Sequence, residues 1–157
     1  MGYISKEGLD NIANWKYVGG TYTYLDNFLN PFWLWGATLI PRKVSPNMVS
    51  LSGLLFTMSA AILIIIYDVT LTKYVPAWLS FYGGFAVFMF QTLDAIDGKH
   101  ARNTQQSSPL GQLFDHGCDA VNTPLTLLLV FSSSALMTRP WLLIYMYTFS
   151  VQIFLLA

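Results

Sequence analysis

The chain has 157 residues, zero formal net charge, 54% apolar residues and only 10% charged ones. Charges this few and this bunched exclude an ordinary soluble domain, and the neutral balance offers no basic surface for nucleic acid. The single cysteine, Cys118, excludes an internal disulfide.

The N-terminus is polar, with Lys6, Glu7 and Asp10 ahead of any long apolar run. That pattern lacks a cleavable signal peptide, so the first spanning helix must serve as its own insertion signal. Gly2 does not make a myristoylation site, because Lys6 stands where the motif wants Ser or Thr. From Tyr17 to Ile40 the chain is aromatic and nearly uncharged. Asn30-Pro31 opens a short helix over Phe32 to Ile40 that Pro41 ends, and Trp33 and Trp35 suit the headgroup level. It is too short to span, so it is expected to lie on the membrane as an interfacial helix.

Four gaps without any charge follow, over residues 44–67, 74–93, 120–138 and 140–157. Each is near the ~20 residues a spanning helix needs. The expected fold is all-α, a multi-pass transmembrane helical bundle with an N-terminal interfacial helix. Residues 1–45 form the cytoplasmic N-terminal segment and residues 46–157 a transmembrane domain of about four spans. The spans are Pro46 to Tyr67, about Ala77 to Ile96, Pro109 to Met137, and Trp141 to Ala157. The last has no polar flank, which suggests part of a longer protein. Lys6, Lys16, Arg42, Lys43, Lys99 and Arg102 fall on one side of this arrangement, with only Lys73 and Arg139 on the other. The positive-inside bias makes the first side cytoplasmic.

Half of the acidic residues fall where the second span ends and the third begins, in the run Asp94 to Asp119, D-A-I-D-G-K-H-A-R-N-T-Q-Q-S-S-P-L-G-Q-L-F-D-H-G-C-D. On a helix, Asp94, Asp97, Gly98, Ala101 and Arg102 make one stripe about 140° wide, and Gly111, Asp115 and Asp119 make a second. Between them Ser108 is a candidate N-cap and Pro109 suits the first helical position. Two antiparallel helices facing each other are therefore expected at the cytoplasmic boundary.

An isolated Asp costs roughly 2.5–3.5 kcal/mol at the centre of a spanning helix, so four together require compensation. Arg102 and Lys99 offer two charges against four. Hard divalent cations prefer oxygen ligands, and Asp pairs on facing helices can hold two of them. Two ions about 3.5–4 Å apart clamp a phosphoryl group during displacement. Arg102 adds a bidentate donor for phosphate oxygen, while Gly98 and Gly111 permit close approach of the helices or a nucleotide. His116, at the edge of the second stripe, is of the residue type that most often serves as a general base. His100 reads as a solvated loop residue and Cys118 as a packing residue. Asn47, at the start of the first span, reads as a helix cap.

The pattern D-x-x-D-G-x-x-A-R, eight residues, then G-x-x-x-D-x-x-x-D resembles the signature of the CDP-alcohol phosphotransferase family, with every signature position present. The flanks Pro46-Asn47-Met48-Val49-Ser50 and Leu113-Phe114-Asp115-His116-Gly117-Cys118-Asp119 are similar to its eukaryotic choline and ethanolamine phosphotransferase branch. The likeness covers essentially the whole chain, as the N-terminal portion of longer enzymes. It implies transfer of phosphocholine or phosphoethanolamine from CDP-choline or CDP-ethanolamine to diacylglycerol, with release of CMP, in endoplasmic reticulum or Golgi membranes. By the same resemblance Asp94 and Asp115 bridge two Mg²⁺ or Mn²⁺ ions, Asp97 completing one and Asp119 the other. Arg102 binds the pyrophosphate, and Gly98, Ala101 and Gly111 shape the nucleotide pocket, with Asn47 contacting CDP. His116 takes the proton of the lipid hydroxyl, with Asp119 as the competing base, and a homodimer is among the assemblies allowed. This chain departs from the branch at Gln112, where Glu is usual, and at Asn103, where a second Arg is common. Gln112 lies four residues before His116, so its amide is expected to slow turnover and leave CDP binding intact.

Two other readings remain at this stage. Membrane prenyltransferases also hold a pyrophosphate with Asp-rich helices and Mg²⁺, but their acidic motifs lie far apart in sequence. A divalent-cation transporter would also carry carboxylates in its spans. Arg102 opposes that reading, since a fixed cation beside the ions hinders their passage.

Overall fold

The computed structural model describes residues 5–14, 24–71 and 73–133. These form five helices and no strand: α1 (Lys6–Ala13), α2 (Tyr24–Leu39), α3 (Pro46–Tyr67), α4 (Ala77–Thr104) and α5 (Pro109–Ser133). The fourth expected span, Trp141 to Ala157, and the end of the third lie outside the described residues.

Helix starts follow local chemistry. At α3, Ser45 precedes Pro46 at the first helical position. At α5, the Ser108 hydroxyl accepts a hydrogen bond from the Gly111 amide at 3.0 Å, and so satisfies one of the amides that a helix start leaves unpaired. α4 ends in a Schellman motif, with Gln105 in the left-handed region at φ 59° and ψ 31°. The Gln106 amide returns to the Ala101 carbonyl at 2.9 Å and the Gln105 amide to Arg102 at 3.3 Å. α4 is thus turned back after Thr104, and α5 begins after four intervening residues.

Two helices departed from expectation. α2 starts at Tyr24 rather than Phe32 and carries Pro31 within it. Pro31 cannot bond the carbonyl of Asn27, and Asn27 is exposed, so water can take that carbonyl. α1 was not anticipated; the Ser5 hydroxyl caps it by accepting from the Gly8 amide at 3.1 Å.

α3 is the central element. It runs antiparallel to α4, with contacts between Ser50 and Asp97, Gly53 and Phe90, and Ser59 and Tyr82. It runs parallel to α5, where Leu54 packs near Cys118 and Ala60, Ala61 and Ile64 pack near Leu129. α4 and α5 are themselves antiparallel, as the sequence predicts: Gly83 meets Leu129 at one end and Asp97 meets Asp115 at the other. The apolar cluster of Ala60, Ile64, Leu79, Ala86 and Leu129 fills the end away from the motif.

Gly53 permits a close approach of α3 to the α4 backbone. A Cβ there would lie 3.3 Å from the Phe90 Cα, so a side chain would push α3 off the α4 backbone. α2 rests on α4 through Trp33, Gly36 and Ala37, three positions on one helical face.

α3 and α4 are the two helices, among the described residues, long and apolar enough to cross a membrane. α5 is of similar length, 25 residues, but gives its first turns to the polar motif. Large apolar side chains such as Ile62, Ile66, Phe81 and Phe88 face outward, as lipid-facing positions would. The described residues are all-helical, as a membrane helical bundle requires.

Candidate active site

The start of α3, the end of α4 and the start of α5 converge at one end of the bundle, and the acidic quartet collects there. One carboxylate oxygen each from Asp94, Asp97 and Asp115 lies within 4.8 Å of the other two. Asp119 stands outside that trio but lies close enough to Asp94 to act on its charge, and Asp97 faces Asp115 in the same way. Carboxylates thus face each other across the α4–α5 boundary. Four negative groups this close repel one another, and Asp97 is buried.

A divalent cation fits this donor set. The Asp115 Oδ1 atom is buried with no hydrogen-bond partner, and a buried unpartnered acceptor is costly unless a cation or donor completes it. Oxygen ligands of this kind suit Mg²⁺, Mn²⁺ or Ca²⁺ rather than softer metals.

A cavity of about 240 Å³ opens beside the trio. Asp94, Asp97 and Asp115 line it, as do Asn47, Gly98, Ala101, Arg102 and Gly111, each of the five expected at a substrate site. The Arg102 guanidinium folds back over Gly98, its Nη1 3.6 Å from where a Cβ would stand. At Gly111 a Cβ would meet the Ser108 hydroxyl at 3.2 Å and the Asn47 amide oxygen at 3.6 Å. Both glycines therefore keep open space that a side chain would fill.

Asn47 is not the cap of α3. Ser45 holds that position, and Asn47 in the first turn turns its amide toward Gly111 across the cavity. His100 is not a solvated loop residue either. α4 continues past it, burying the ring to 1% exposure, and its Nε2 lies 2.9 Å from the Val44 carbonyl. It ties the motif helix to the segment that leads into α3. Cys118 is buried against Leu54 and Phe90.

His116 and Asp119 do not line the cavity. His116 is exposed, one helical turn before Asp119 and close enough to act on its charge. Gln112 does line the cavity.

Sequence reasoning missed Ser50. Its hydroxyl is buried and donates to Asp97 Oδ2, which fixes one oxygen of that carboxylate and leaves the other directed elsewhere. The available signal was spacing: Ser50 is three residues after Asn47, hence on the same face of α3. Lys99, counted only as a nearby charge, is buried with its ammonium 5.2 Å from the centroid of the Trp33 ring.

Comparison with known proteins agrees with this geometry. Residues 43–157 match the family described as CDP-alcohol phosphatidyltransferase. Choline/ethanolaminephosphotransferase 2 of Arabidopsis thaliana is 41% identical over 140 residues, covering 88% of this chain and 36% of its own length. Cholinephosphotransferase 1 of Gallus gallus is 38% identical over 140 residues, covering 88% of this chain and 42% of its own. Choline/ethanolaminephosphotransferase 1 of Saccharomyces cerevisiae is 35% identical over 138 residues, covering 87% and 35%. The chain spans about a third of the length of the curated relatives it matches. With every signature residue but Asp119 lining one cavity and the match running through most of the sequence, the chain belongs to the CDP-alcohol phosphatidyltransferase family.

Proposed function

We propose that this chain carries the phosphoryl-transfer site of an enzyme that moves phosphocholine or phosphoethanolamine from its CDP derivative to diacylglycerol and releases CMP. The observation that carries the proposal is the convergence of Asp94, Asp97 and Asp115 on a cavity that also holds Arg102, with an oxygen of Asp115 unpartnered. That donor set recognises a diphosphate through cations. The names of the relatives, choline/ethanolaminephosphotransferase and cholinephosphotransferase, support the choice of donor headgroup.

In this reading Asp94, Asp97, Asp115 and Asp119 would hold two Mg²⁺ or Mn²⁺ ions. Bound there, the ions would neutralise charge on the transferring phosphoryl group and on the departing CMP. Arg102 binds the diphosphate bidentately, and Gly98, Ala101, Gly111 and Asn47 shape the cytidine side of the cavity. The lipid hydroxyl attacks the headgroup phosphorus, and the bond from that phosphorus to the CMP oxygen breaks. His116 accepts the hydroxyl proton, and the electron pair leaves on CMP. Asp119, beside His116, steadies the imidazolium that results.

Residues 46–157 would form the membrane domain and residues 1–45 a cytoplasmic segment. A water-soluble nucleotide reaches the site from the cytoplasm, and a lipid reaches it sideways through the bilayer; only a boundary site admits both. Endoplasmic reticulum or Golgi membrane is the compartment this reaction implies.

The test is an assay of radiolabelled CDP-choline and CDP-ethanolamine with diacylglycerol in membranes, with and without chelator. The expected result is phospholipid and CMP in equal amounts, abolished by chelation. Release of pyrophosphate would point to prenyl transfer, and metal flux without nucleotide to a transporter.

A further inference from the structure

The first turn of α3 brings Asn47 to the cavity, but little local chemistry fixes where that turn begins. Ser45 occupies the cap position with no capping hydrogen bond from its side chain, and Pro46 fixes only its own φ. Helix ends left this way fray. Two hydrogen bonds to α4 bracket the turn instead. On one side the Val44 carbonyl lies 2.9 Å from His100 Nε2, and on the other the Ser50 hydroxyl donates to Asp97. Asn47 stands midway, three residues after Val44 and three before Ser50. A carbonyl oxygen only accepts, so His100 Nε2 carries the hydrogen and donates it. His100 is buried, so water does not compete for this bond.

We infer that His100 is a positioning residue for the nucleotide: by holding the Val44 carbonyl it sets the start of α3 and keeps the Asn47 amide opposite Gly111. This rests on the function proposed above, in which Asn47 and Gly111 shape the cytidine side of the cavity. The two brackets serve different halves of the site. Ser50 orients Asp97, a carboxylate of the cation set, whereas the His100 bond ends on backbone that leads to Asn47. Without that bond, residues 44–47 gain freedom while Ser50 still holds Asp97. The nucleotide then meets an Asn47 that must be ordered at the moment of binding, and that ordering lowers affinity. The cation meets an unchanged ligand set.

The test is binding of CDP-choline and of Mn²⁺, measured separately on the full-length protein in nanodiscs, for wild type, His100→Leu, His100→Gln, Asn47→Ala and the double variant of Asn47→Ala with His100→Leu. His100→Leu keeps apolar bulk and removes the donor. It should weaken CDP-choline binding about fivefold, the order of one hydrogen bond, and leave Mn²⁺ binding without nucleotide unchanged. His100→Gln should restore nucleotide affinity, because its amide nitrogen lies as many bonds from Cβ as the imidazole Nε2 does. In the Asn47→Ala background His100→Leu should weaken nucleotide binding no further, since the contact it positions is already gone. A His100→Leu protein that binds CDP-choline as wild type does, or that loses Mn²⁺ binding in parallel, overturns the inference, as does an equal effect of His100→Leu with and without Asn47. A wild-type protein that binds Mn²⁺ but not CDP-choline overturns the proposed function itself, a result that the His100 variants cannot produce.

Discussion

At the scale of single residues, the site depends on how each carboxylate is oriented. Ser50 occupies one oxygen of Asp97, and Asp115 keeps a buried oxygen without a partner. Losing a supporting hydrogen bond to a metal ligand typically costs about 10–100-fold in affinity. Ser50→Ala should therefore weaken Mn²⁺ binding by at least about tenfold, and Ser50→Thr, which keeps the hydroxyl, should preserve most of it. Electron paramagnetic resonance titration checks this. Gln112 makes a second residue-scale prediction. It lines the cavity and lies four residues before His116. Gln112→Glu should raise turnover while CDP-choline binding is unchanged, and a steady-state comparison of the two quantities decides it.

How legible these residues were depended on their spacing. Asp94, Asp97, Gly98, Ala101 and Arg102 repeat at helical intervals, so one stripe could be read directly, and all five line the cavity. Ser50 and His100 were missed or misjudged because their partners, Asp97 and the Val44 carbonyl, lie 47 and 56 residues away in sequence. Helical periodicity has no means of announcing such pairings.

At the scale of elements, starts and stops with explicit chemistry were the readable ones. Pro46 and Pro109 mark the first residues of α3 and α5, and Ala77 begins α4, as expected. The same reasoning misplaced α2, because a proline was taken for a boundary where an exposed turn tolerates it inside the helix. Packing between elements makes a discriminating prediction about two glycines. At Gly53 the obstacle to a Cβ is the Phe90 backbone at 3.3 Å, whereas at Gly36 it is the far end of the flexible Ile96 side chain. Gly53→Val should destabilise the α3–α4 pair by about 1–3 kcal/mol, the usual cost of overpacking, and Gly36→Ala by much less. Thermal unfolding in detergent should separate the two variants by a few degrees for that difference, taking about 2–4 °C per kcal/mol as a guide for a chain of this length. Equal shifts would mean that the helices separate more freely than this packing allows.

At the scale of the whole molecule, the polar and apolar ends of the bundle divide the work. One end holds the acidic quartet, Arg102 and Asn47; the other is closed by Ile64, Leu79 and Leu129. The neutral gaps in the sequence foretold helices of spanning length, and α3 and α4 have that length and composition. They could not foretell that α3 would lie between the two motif helices, touching both, because that arrangement is set by side-chain fit rather than by hydropathy. A charge cluster at one end of an apolar bundle is tolerable only where it meets water or cations. The central claim is that cations occupy it.

The most direct measurement is Mn²⁺ binding to the purified protein, followed by electron paramagnetic resonance with and without CDP-choline, for wild type and Asp115→Asn. Wild type should bind Mn²⁺ and bind it more tightly with CDP-choline present. Asp115→Asn should lose more than about 100-fold in affinity, beyond what removal of a mere supporting contact costs. Equal Mn²⁺ binding by the two proteins, or none by either with or without nucleotide, would contradict the account.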